Sequence, residues 1–200
     1  GKGQLGSELK KISIINNDID WIFTDRQSLD LSILDNIYLF LDKIKPEIII
    51  NCAAYTYVDG AEEDFETSNI INHKAVKLIA KWCNCNNCKL IHFSTDYVYD
   101  GSSQLPYVET DLTHPINYYG KSKLLGDIAC QENNPSCTII RTGWLYSSFG
   151  NNFVTKMINL MHNNDEIKVV NDQFGSPTYA GDLAYTLFLN LIINKKWYPG

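Results

Sequence analysis

Ile48-Ile49-Ile50-Asn51-Cys52, at residues 48–52, is the stretch that decides the fold class. A short, continuous run of apolar residues is typical of a strand that is buried on both faces of a parallel sheet. A helix-like stretch follows at residues 67–82, and a second strand-like run lies at residues 89–94. Strand, helix and strand in this order predict a βαβ unit, in which the two strands are parallel and the crossover is right-handed.

The same alternation extends in both directions along the chain. Apolar spacing predicts strands at residues 19–24, 138–141 and 167–170, and helices at residues 32–44, 118–131, 152–161 and 179–193. This order predicts an α/β fold, namely a Rossmann-like, doubly wound parallel sheet with helices on both faces. Ligands of such sheets bind beyond the carboxyl ends of the strands, so the residues that follow each strand are the candidates for function.

Composition argues against several other classes of protein. The 200 residues are 44% hydrophobic, and 23 acidic against 17 basic side chains give a net charge of -6. This acidic balance argues against nucleic acid as a partner, and no apolar run reaches the roughly 18–20 residues of a membrane-spanning helix. We interpret the six cysteines, including the cluster Cys83, Cys85 and Cys88, as reduced thiols of a cytoplasmic protein. A metal or redox role for that cluster is the alternative.

A glycine-rich loop opens the chain. Residues 1–6, GKGQLG, fit the pattern G-x-G-x-x-G before a predicted helix. Glycines let the backbone approach a pyrophosphate, and the N–H groups at a helix start bind it; a plain surface turn is the alternative. After the predicted strand at residues 19–24 come Asp25 and Arg26. A carboxylate there binds the adenosine ribose, whereas an arginine accepts the 2′-phosphate of NADP, so the choice between NAD and NADP stays open.

Tyr119 and Lys123 form a candidate catalytic pair. They lie four residues apart in a predicted helix, so their side chains share one face. An ammonium at roughly 5–6 Å stabilises a phenolate by about 3 kcal/mol, which predicts a pKa of Tyr119 about 2 units below the ordinary value of about 10. Thr95, at the end of a predicted strand, adds a hydroxyl that can bind a substrate carbonyl; an ordinary turn residue is the alternative. The small Ala53 and Ala54, after the preceding strand, leave room for a flat cofactor.

Longer motifs resemble a known family. They include INCAAYTYVDGAE at residues 50–62, STDYVYDG at 94–101, PINYYGKSKLLGD at 115–127 and VVNDQFGSPTYAGDLA at 169–184. In one collinear order over the whole chain, these motifs resemble the dTDP-4-dehydrorhamnose reductase family of extended short-chain dehydrogenases/reductases. The resemblance implies NAD(P)H-dependent reduction of the C4 keto group of dTDP-4-dehydro-L-rhamnose to dTDP-L-rhamnose. It also implies NADPH or NADH as cofactor, a dTDP-sugar as substrate, and a homodimer.

The resemblance implies roles for residues at matched positions. The implied catalytic residues are Thr95, Tyr119 and Lys123. The implied cofactor-binding positions are Gly3, Gln4 and Leu5 at the pyrophosphate, Asp30 and Leu31 on the adenine side, and Ala54, Tyr55 and Thr56 along the strand edge. The implied substrate contacts are Thr95, Asp96 and Trp144, with a core aromatic as the alternative for Trp144. Members of the family can bind Mg²⁺ through acidic residues at a dimer interface; Glu8 matches one such position and Asp182 matches more loosely.

The resemblance also predicts how the chain is divided. Residues 1–143 are expected to form the NAD(P)-binding domain, and residues 144–200 part of a smaller substrate-binding lobe. The family's loop is G-x-x-G-x-x-G and follows a first strand, so that strand and the first glycine are expected to lie before residue 1. The remainder of the lobe is expected after residue 200.

Two alternative functions share this fold. One is a non-catalytic subunit that resembles the regulatory β subunit of methionine adenosyltransferase, and the other is a different nucleotide-sugar epimerase, reductase or dehydratase. The presence of Thr95, Tyr119 and Lys123 together favours an enzyme. Asp96 is followed by Tyr97 rather than by a second acid, which disfavours a dehydratase.

Overall fold

Helices and short parallel strands alternate along most of the chain. A computed structural model describes residues 1–16 and 18–198. Its α-helices, in chain order, are α1 (Gln4–Ile14), α2 (Asp35–Ile44), α3 (Gly60–Glu63), α4 (Phe65–Asn69), α5 (Ala75–Cys85), α6 (Tyr118–Asn133), α7 (Phe153–Asn163) and α8 (Ala180–Leu187). Its strands are β1 (Ile48–Asn51), β2 (Lys89–Thr95), β3 (Thr138–Thr142), β4 (Leu145–Tyr146) and β5 (Thr178–Tyr179).

The predicted βαβ unit is confirmed. Strand β1 pairs in parallel with β2, with Ile50 opposite Ile91, and β3 hydrogen-bonds to the other side of β2. The crossover from β1 to β2 contains α4, a π-helical turn at Ile70–Lys74, and α5. The carboxyl ends of β1 and β2 therefore lie side by side, as the argument from the sequence requires.

Two strands that we predicted from the sequence are wrong. Residues 19–24 and 167–170 form no strand in the structure. A strand needs a neighbour that supplies ladder hydrogen bonds, and the described sheets contain only β1 to β3 and the short parallel pair β4 and β5. The rings of Trp21 and Phe23 instead stack with centroids 5.8 Å apart, whereas Val169 and Val170 are exposed.

The chain forms two compact units. The first unit comprises residues 1–23 and 142–196, and the second comprises residues 24–141 together with 197–198. In the first unit, α1 packs on α8 and buries Leu5, Leu9, Ala184 and Leu187. In the second unit the core includes Ile37, Leu41, Val76, Ile79 and Leu90, and burial of each large aliphatic side chain contributes about 1.5–3 kcal/mol. The division by binding role at residue 143 stays a prediction.

None of the helices among the described residues combines the length and the apolar character needed to cross a membrane.

Candidate active site

Helix α6 carries the Tyr–Lys pair, and local sequence sets its start. The side chain of Asn117 caps the helix by accepting the N–H of Gly120 at 2.7 Å. Two glycines then allow a close approach to neighbouring backbone. A Cβ on Gly120 would collide with the carbonyl oxygen of Tyr97, and one on Gly126 with that of Asn72. Because neither glycine has a side chain, helix α6 packs directly on its neighbours, including strand β2.

The structure brings Thr95, Tyr119 and Lys123 together in the second unit. Thr95 Oγ1 donates to Asp96 Oδ1 at 3.0 Å, and the Thr95 hydroxyl lies close enough to Tyr119 to act on its phenol. Lys123 Nζ donates to the carbonyl oxygen of Phe93, two residues before Thr95. Thr95, Tyr119 and Lys123 are all buried. Two hydroxyls and an ammonium at the end of a central strand form a group that can polarise and protonate a carbonyl oxygen.

The pKa that we predicted for Tyr119 is wrong in direction. Burial raises the pKa of Tyr119, the nearby Thr95 hydroxyl opposes the rise, and the carboxylates of Asp96 and Asp127 add to it. The Lys123 ammonium is directed at the Phe93 carbonyl rather than at the phenol. Burial lowers the pKa of Lys123 itself to about 8. Tyr119 is therefore a neutral phenol at neutral pH, which is the form that donates a proton.

The glycine loop at residues 1–6 leads into the first turn of helix α1. Helix α1 begins after Gly3, and no side chain caps it. A Cβ on Gly3 would meet no atom within 4 Å, so there is open space beside the first backbone N–H groups. The side chain of Gln4 donates to the Leu145 carbonyl at 3.2 Å, and Leu5 is buried, so only backbone groups are presented. These features fit a phosphate-bearing ligand at this helix terminus.

The loop that begins at residue 25 combines two carboxylates with one exposed cation. The carboxylate of Asp25 accepts two backbone N–H groups of its own turn. Arg26 Nε lies 3.1 Å from Asp30, and the Arg26 side chain is 79% exposed. Hydrogen bonds from Ser32 and Arg26 lower the pKa of Asp30 to about 2. Leu31 is buried in the core, so only its backbone is available to a ligand.

Buried amides hold the loop at residues 53–56, which follows strand β1. Asn51 Oδ1 accepts the N–H of Ala53 at 3.2 Å. Asn72 makes two hydrogen bonds with the backbone of Tyr55. Its Oδ1 accepts the Tyr55 N–H at 2.9 Å, and its Nδ2 donates to the Tyr55 carbonyl at 3.0 Å. Sequence reasoning missed Asn72, because a single asparagine inside a predicted helix carries no signal for such a contact.

Trp144 lies in the first unit and is 39% exposed, which disfavours the alternative of a core aromatic. Its φ of 46° lies in the left-handed region, where a non-glycine residue costs of order 1–3 kcal/mol. Its ring faces Phe153 at a centroid distance of 6.4 Å, and a Cβ on Gly175 would lie 2.7 Å from the indole. An exposed, strained tryptophan beside a glycine is available for stacking with a ligand.

The residues expected to bind Mg²⁺ do not fit the ion. Glu8 is buried; its Oε1 accepts the Ser147 hydroxyl at 2.7 Å, and its Oε2 lies 3.1 Å from Lys11 Nζ. Asp182 is exposed on α8. Across residues 1–16 and 18–198, no group of three or more His, Cys, Asp or Glu is arranged to hold a metal. The expectation that Glu8 and Asp182 bind magnesium is therefore not supported.

All six cysteines are free thiols.

These features define a Rossmann-like α/β protein, with parallel strands, flanking helices and its candidate catalytic groups after a central strand. Within that class the chain belongs to the family described as the RmlD substrate binding domain, whose model matches residues 1–197. The family resemblance inferred from the motifs is thereby confirmed.

Similar proteins agree in sequence and fold. The chain is 40% identical over 185 residues to a dTDP-4-dehydrorhamnose reductase from Aggregatibacter actinomycetemcomitans, covering 92% of this chain and 63% of that protein. A crystal structure of a dTDP-4-dehydrorhamnose reductase from Clostridium acetobutylicum has a TM-score of 0.92 at 40% identity, covering 98% of this chain and 69% of that one.

A dTDP-4-dehydrorhamnose reductase from Bacillus anthracis in complex with NADP has a TM-score of 0.91 at 38% identity, with coverage of 98% and 69%. These likenesses confirm the predicted fold class. The chain spans about three fifths of the length of the curated relatives that it matches.

Proposed function

We propose that this chain belongs to an NADPH- or NADH-dependent reductase that converts dTDP-4-dehydro-L-rhamnose into dTDP-L-rhamnose. The observation that carries the proposal is the burial of Thr95, at the end of β2, close to Tyr119 on α6, with Lys123 one helical turn further along that helix. The similarity to dTDP-4-dehydrorhamnose reductases supports the substrate class. The NADP complex of the Bacillus anthracis protein supports a nicotinamide cofactor.

The proposed chemistry gives each catalytic residue one task. When bound, the reduced nicotinamide supplies the hydride that the C4 carbonyl carbon accepts. The hydroxyls of Thr95 and Tyr119 donate hydrogen bonds to the carbonyl oxygen, where negative charge develops. Tyr119 transfers its proton to that oxygen, because burial raises its pKa and keeps the phenol protonated. The ammonium of Lys123 then offsets the charge of the phenolate that remains.

Each unit, taken by itself, offers groups that are proposed to bind part of the cofactor. In the first unit these are the backbone groups of Gly3, Gln4 and Leu5, which suit a pyrophosphate. In the second unit they are Asp25, Arg26, Asp30 and the backbone of Leu31 for the adenosine end, residues 53–56 along the strand edge, and Tyr119 with Lys123 for the nicotinamide ribose.

Thr95, Asp96 and Trp144 are the proposed contacts of the sugar nucleotide. The exposure of the indole and the strained backbone of Trp144 support stacking of the indole on a ring of that ligand. We assign no role to a metal, since both oxygens of Glu8 have protein partners. Homodimerisation stays a prediction.

The decisive experiment follows oxidation of the reduced cofactor by the full-length protein with freshly prepared dTDP-4-dehydro-L-rhamnose. We expect stoichiometric oxidation, and we expect Tyr119→Phe to lower kcat by about 10²–10⁴-fold, because the phenol is the proton donor. Tyr118→Phe is the matched control, since this neighbouring ring is 45% exposed and outside the cluster; it should retain its rate. A near-normal rate for Tyr119→Phe would exclude Tyr119 as the donor.

The same assay separates the alternatives. An epimerase oxidises and re-reduces its cofactor without net consumption, so only transient absorbance changes would appear. Co-purification with a synthetase subunit, without any turnover, would instead favour the non-catalytic alternative. Either result contradicts the proposed reduction.

A further inference from the structure

A buried carboxylate accompanies Lys123 on the same helix. Asp127 follows Lys123 by four residues in α6, which places the two side chains on one face with Cβ atoms roughly 5–6 Å apart. Lys123 is 2% exposed and Asp127 is 1% exposed, so neither charge is solvated. A buried charge without a partner costs several kcal/mol, and each of these groups therefore depends on its protein surroundings.

Three groups from β2 and β3 surround the carboxylate of Asp127. Ser94 donates its hydroxyl to Asp127 Oδ2 at 2.6 Å, and Arg141 Nε lies 3.7 Å from the same oxygen. His92 Nε2 lies 3.8 Å from Oδ1. Neither Oδ1, nor His92 Nε2, nor Arg141 Nε has a hydrogen-bond partner among the described residues. Arg141 therefore acts on Asp127 mainly through its charge, without a direct hydrogen bond from Nε.

Asn51 fixes the tautomer of His92. Because Asn51 Oδ1 accepts the N–H of Ala53, its Nδ2 is the group that faces His92 Nδ1, at 3.3 Å. An amide nitrogen donates, so His92 Nδ1 accepts and the ring proton lies on Nε2, on the side of Asp127. The neutral ring of His92, in the middle of β2, thus presents an N–H towards the carboxylate of Asp127.

The charges around Lys123 leave Asp127 as its counter-charge. Burial lowers the pKa of His92 well below its usual range, so His92 is neutral. The hydrogen bond with Cys137, together with burial, raises the pKa of Cys130, so that thiol is neutral too. The other polar groups that face Lys123 or Asp127 are Tyr119 on α6, Ser94 on β2 and Arg141 on β3. Asp127 is the carboxylate whose charge opposes the effect of burial on the pKa of Lys123.

We propose that Asp127 is a positioning residue, which holds Lys123 as an ammonium beside Tyr119 by acting as its buried counter-charge, supported by Ser94, His92 and Arg141. The inference rests on the proposed role of Lys123 in the reductase. Burial alone disfavours the ammonium, so without the carboxylate Lys123 loses its proton at a lower pH. A neutral amine no longer offsets the phenolate that Tyr119 leaves behind.

The test is a titration of Lys123 by NMR in full-length protein labelled with ¹³C-lysine. The Lys123 resonance is the one that disappears in Lys123→Met. In the wild type we expect a titration near pH 8, and in Asp127→Asn a midpoint lower by about one unit or more. Asp127→Glu keeps the charge, and Ser94→Ala removes only a hydrogen bond, so both should stay within about half a unit of the wild type. An unchanged midpoint in Asp127→Asn overturns the proposal.

A second measurement covers the case in which Asp127→Asn does not fold. In the wild type the carboxyl carbon of Asp127 should show a small second step at the pH where Lys123 titrates, because coupled groups report each other's protonation. The absence of that step overturns the proposal.

Turnover supplies an independent readout. The alkaline fall of kcat/KM should move to lower pH in Asp127→Asn by the same amount as the NMR midpoint, and Asp127→Glu should restore it. An unmoved alkaline fall overturns the positioning role. The NMR titration needs no substrate. An inactive wild type would therefore refute the proposed function, whereas the coupling between Lys123 and Asp127 would still be tested by the titration.

Discussion

At Tyr119, desolvation outweighs the attraction of the neighbouring ammonium. Taking a phenolate out of water disfavours its charge, whereas Lys123 is turned to the carbonyl of Phe93. A protonated phenol on the same helix as Lys123 is what the proposed role of Tyr119 as proton donor requires. Arg26, by contrast, is exposed, and its guanidinium pairs with Asp30.

A single residue, Arg26, is expected to determine the preference for NADPH over NADH. We expect Arg26→Ala to raise KM for NADPH by about tenfold, because a guanidinium pairs with a phosphate, and to leave KM for NADH nearly unchanged. Steady-state kinetics with both cofactors make the comparison. Lys43→Ala, at an exposed position on α2, is the control and should change neither value. Equal losses with both cofactors would mean that Arg26 does not contact the 2′-phosphate.

At the scale of elements, helix α6 is fitted to its neighbours by glycines rather than by large apolar side chains. Gly120 lies against the carbonyl of Tyr97, and Gly126 against that of Asn72 in the π-helical turn. The side-chain Nδ2 of Asn72 also donates a hydrogen bond to the hydroxyl of Ser122 on α6 at 2.9 Å. These contacts couple the helix that carries Tyr119 and Lys123 to the crossover between β1 and β2.

Gly120→Ala tests this packing. Alanine favours a helix over glycine by about 1 kcal/mol, but its methyl group would overlap the Tyr97 carbonyl oxygen. We expect the overlap to dominate and to lower the free energy of unfolding by about 1–3 kcal/mol, measured by urea denaturation. Gln131→Ala, on the exposed side of the same helix, should change it by less than about 0.5 kcal/mol. A stabilised Gly120→Ala protein would contradict the close approach.

At the scale of the whole molecule, buried titratable groups make stability depend on pH. His92 is fully buried and its pKa lies well below the usual value of 6.5, chiefly because of desolvation. As pH falls below 6.5 the unfolded chain binds a proton at this histidine and the folded protein does not. Stability contributed by neutral His92 is therefore present above pH 6.5 and is lost on acidification.

The pH dependence of unfolding checks this sign. Below pH 6.5 we expect the wild type to lose about 1.4 kcal/mol per pH unit through His92, and His92→Gln to lack this slope. His162→Gln is the control, because His162 lies at an exposed position on α7, and the variant should keep the slope of the wild type. Parallel profiles for the wild type and His92→Gln would show that His92 takes up a proton in the folded state.

Local patterns in the sequence predicted much of the fold and the place of the candidate site. The apolar run at residues 48–52 identified a buried strand because continuous hydrophobicity is a property of the segment itself. The spacing of Tyr119 and Lys123 placed both on one helix face for the same reason. The strand predicted at residues 19–24 failed, because a strand also requires a partner that local sequence does not reveal.

By itself, the sequence determined the order of strands and helices from β1 to β3, the family, and the segments after β1 and β2 that carry candidate chemistry. Only the tertiary structure decided the protonation of Tyr119, the contact of Asn72 with Tyr55, the engagement of Glu8 by Ser147, and the meeting of Asp127 with His92 and Arg141. Each of these depends on burial or on residues distant in the chain. Desolvation and long-range contacts exist only once the chain has folded, so no local pattern could have predicted them.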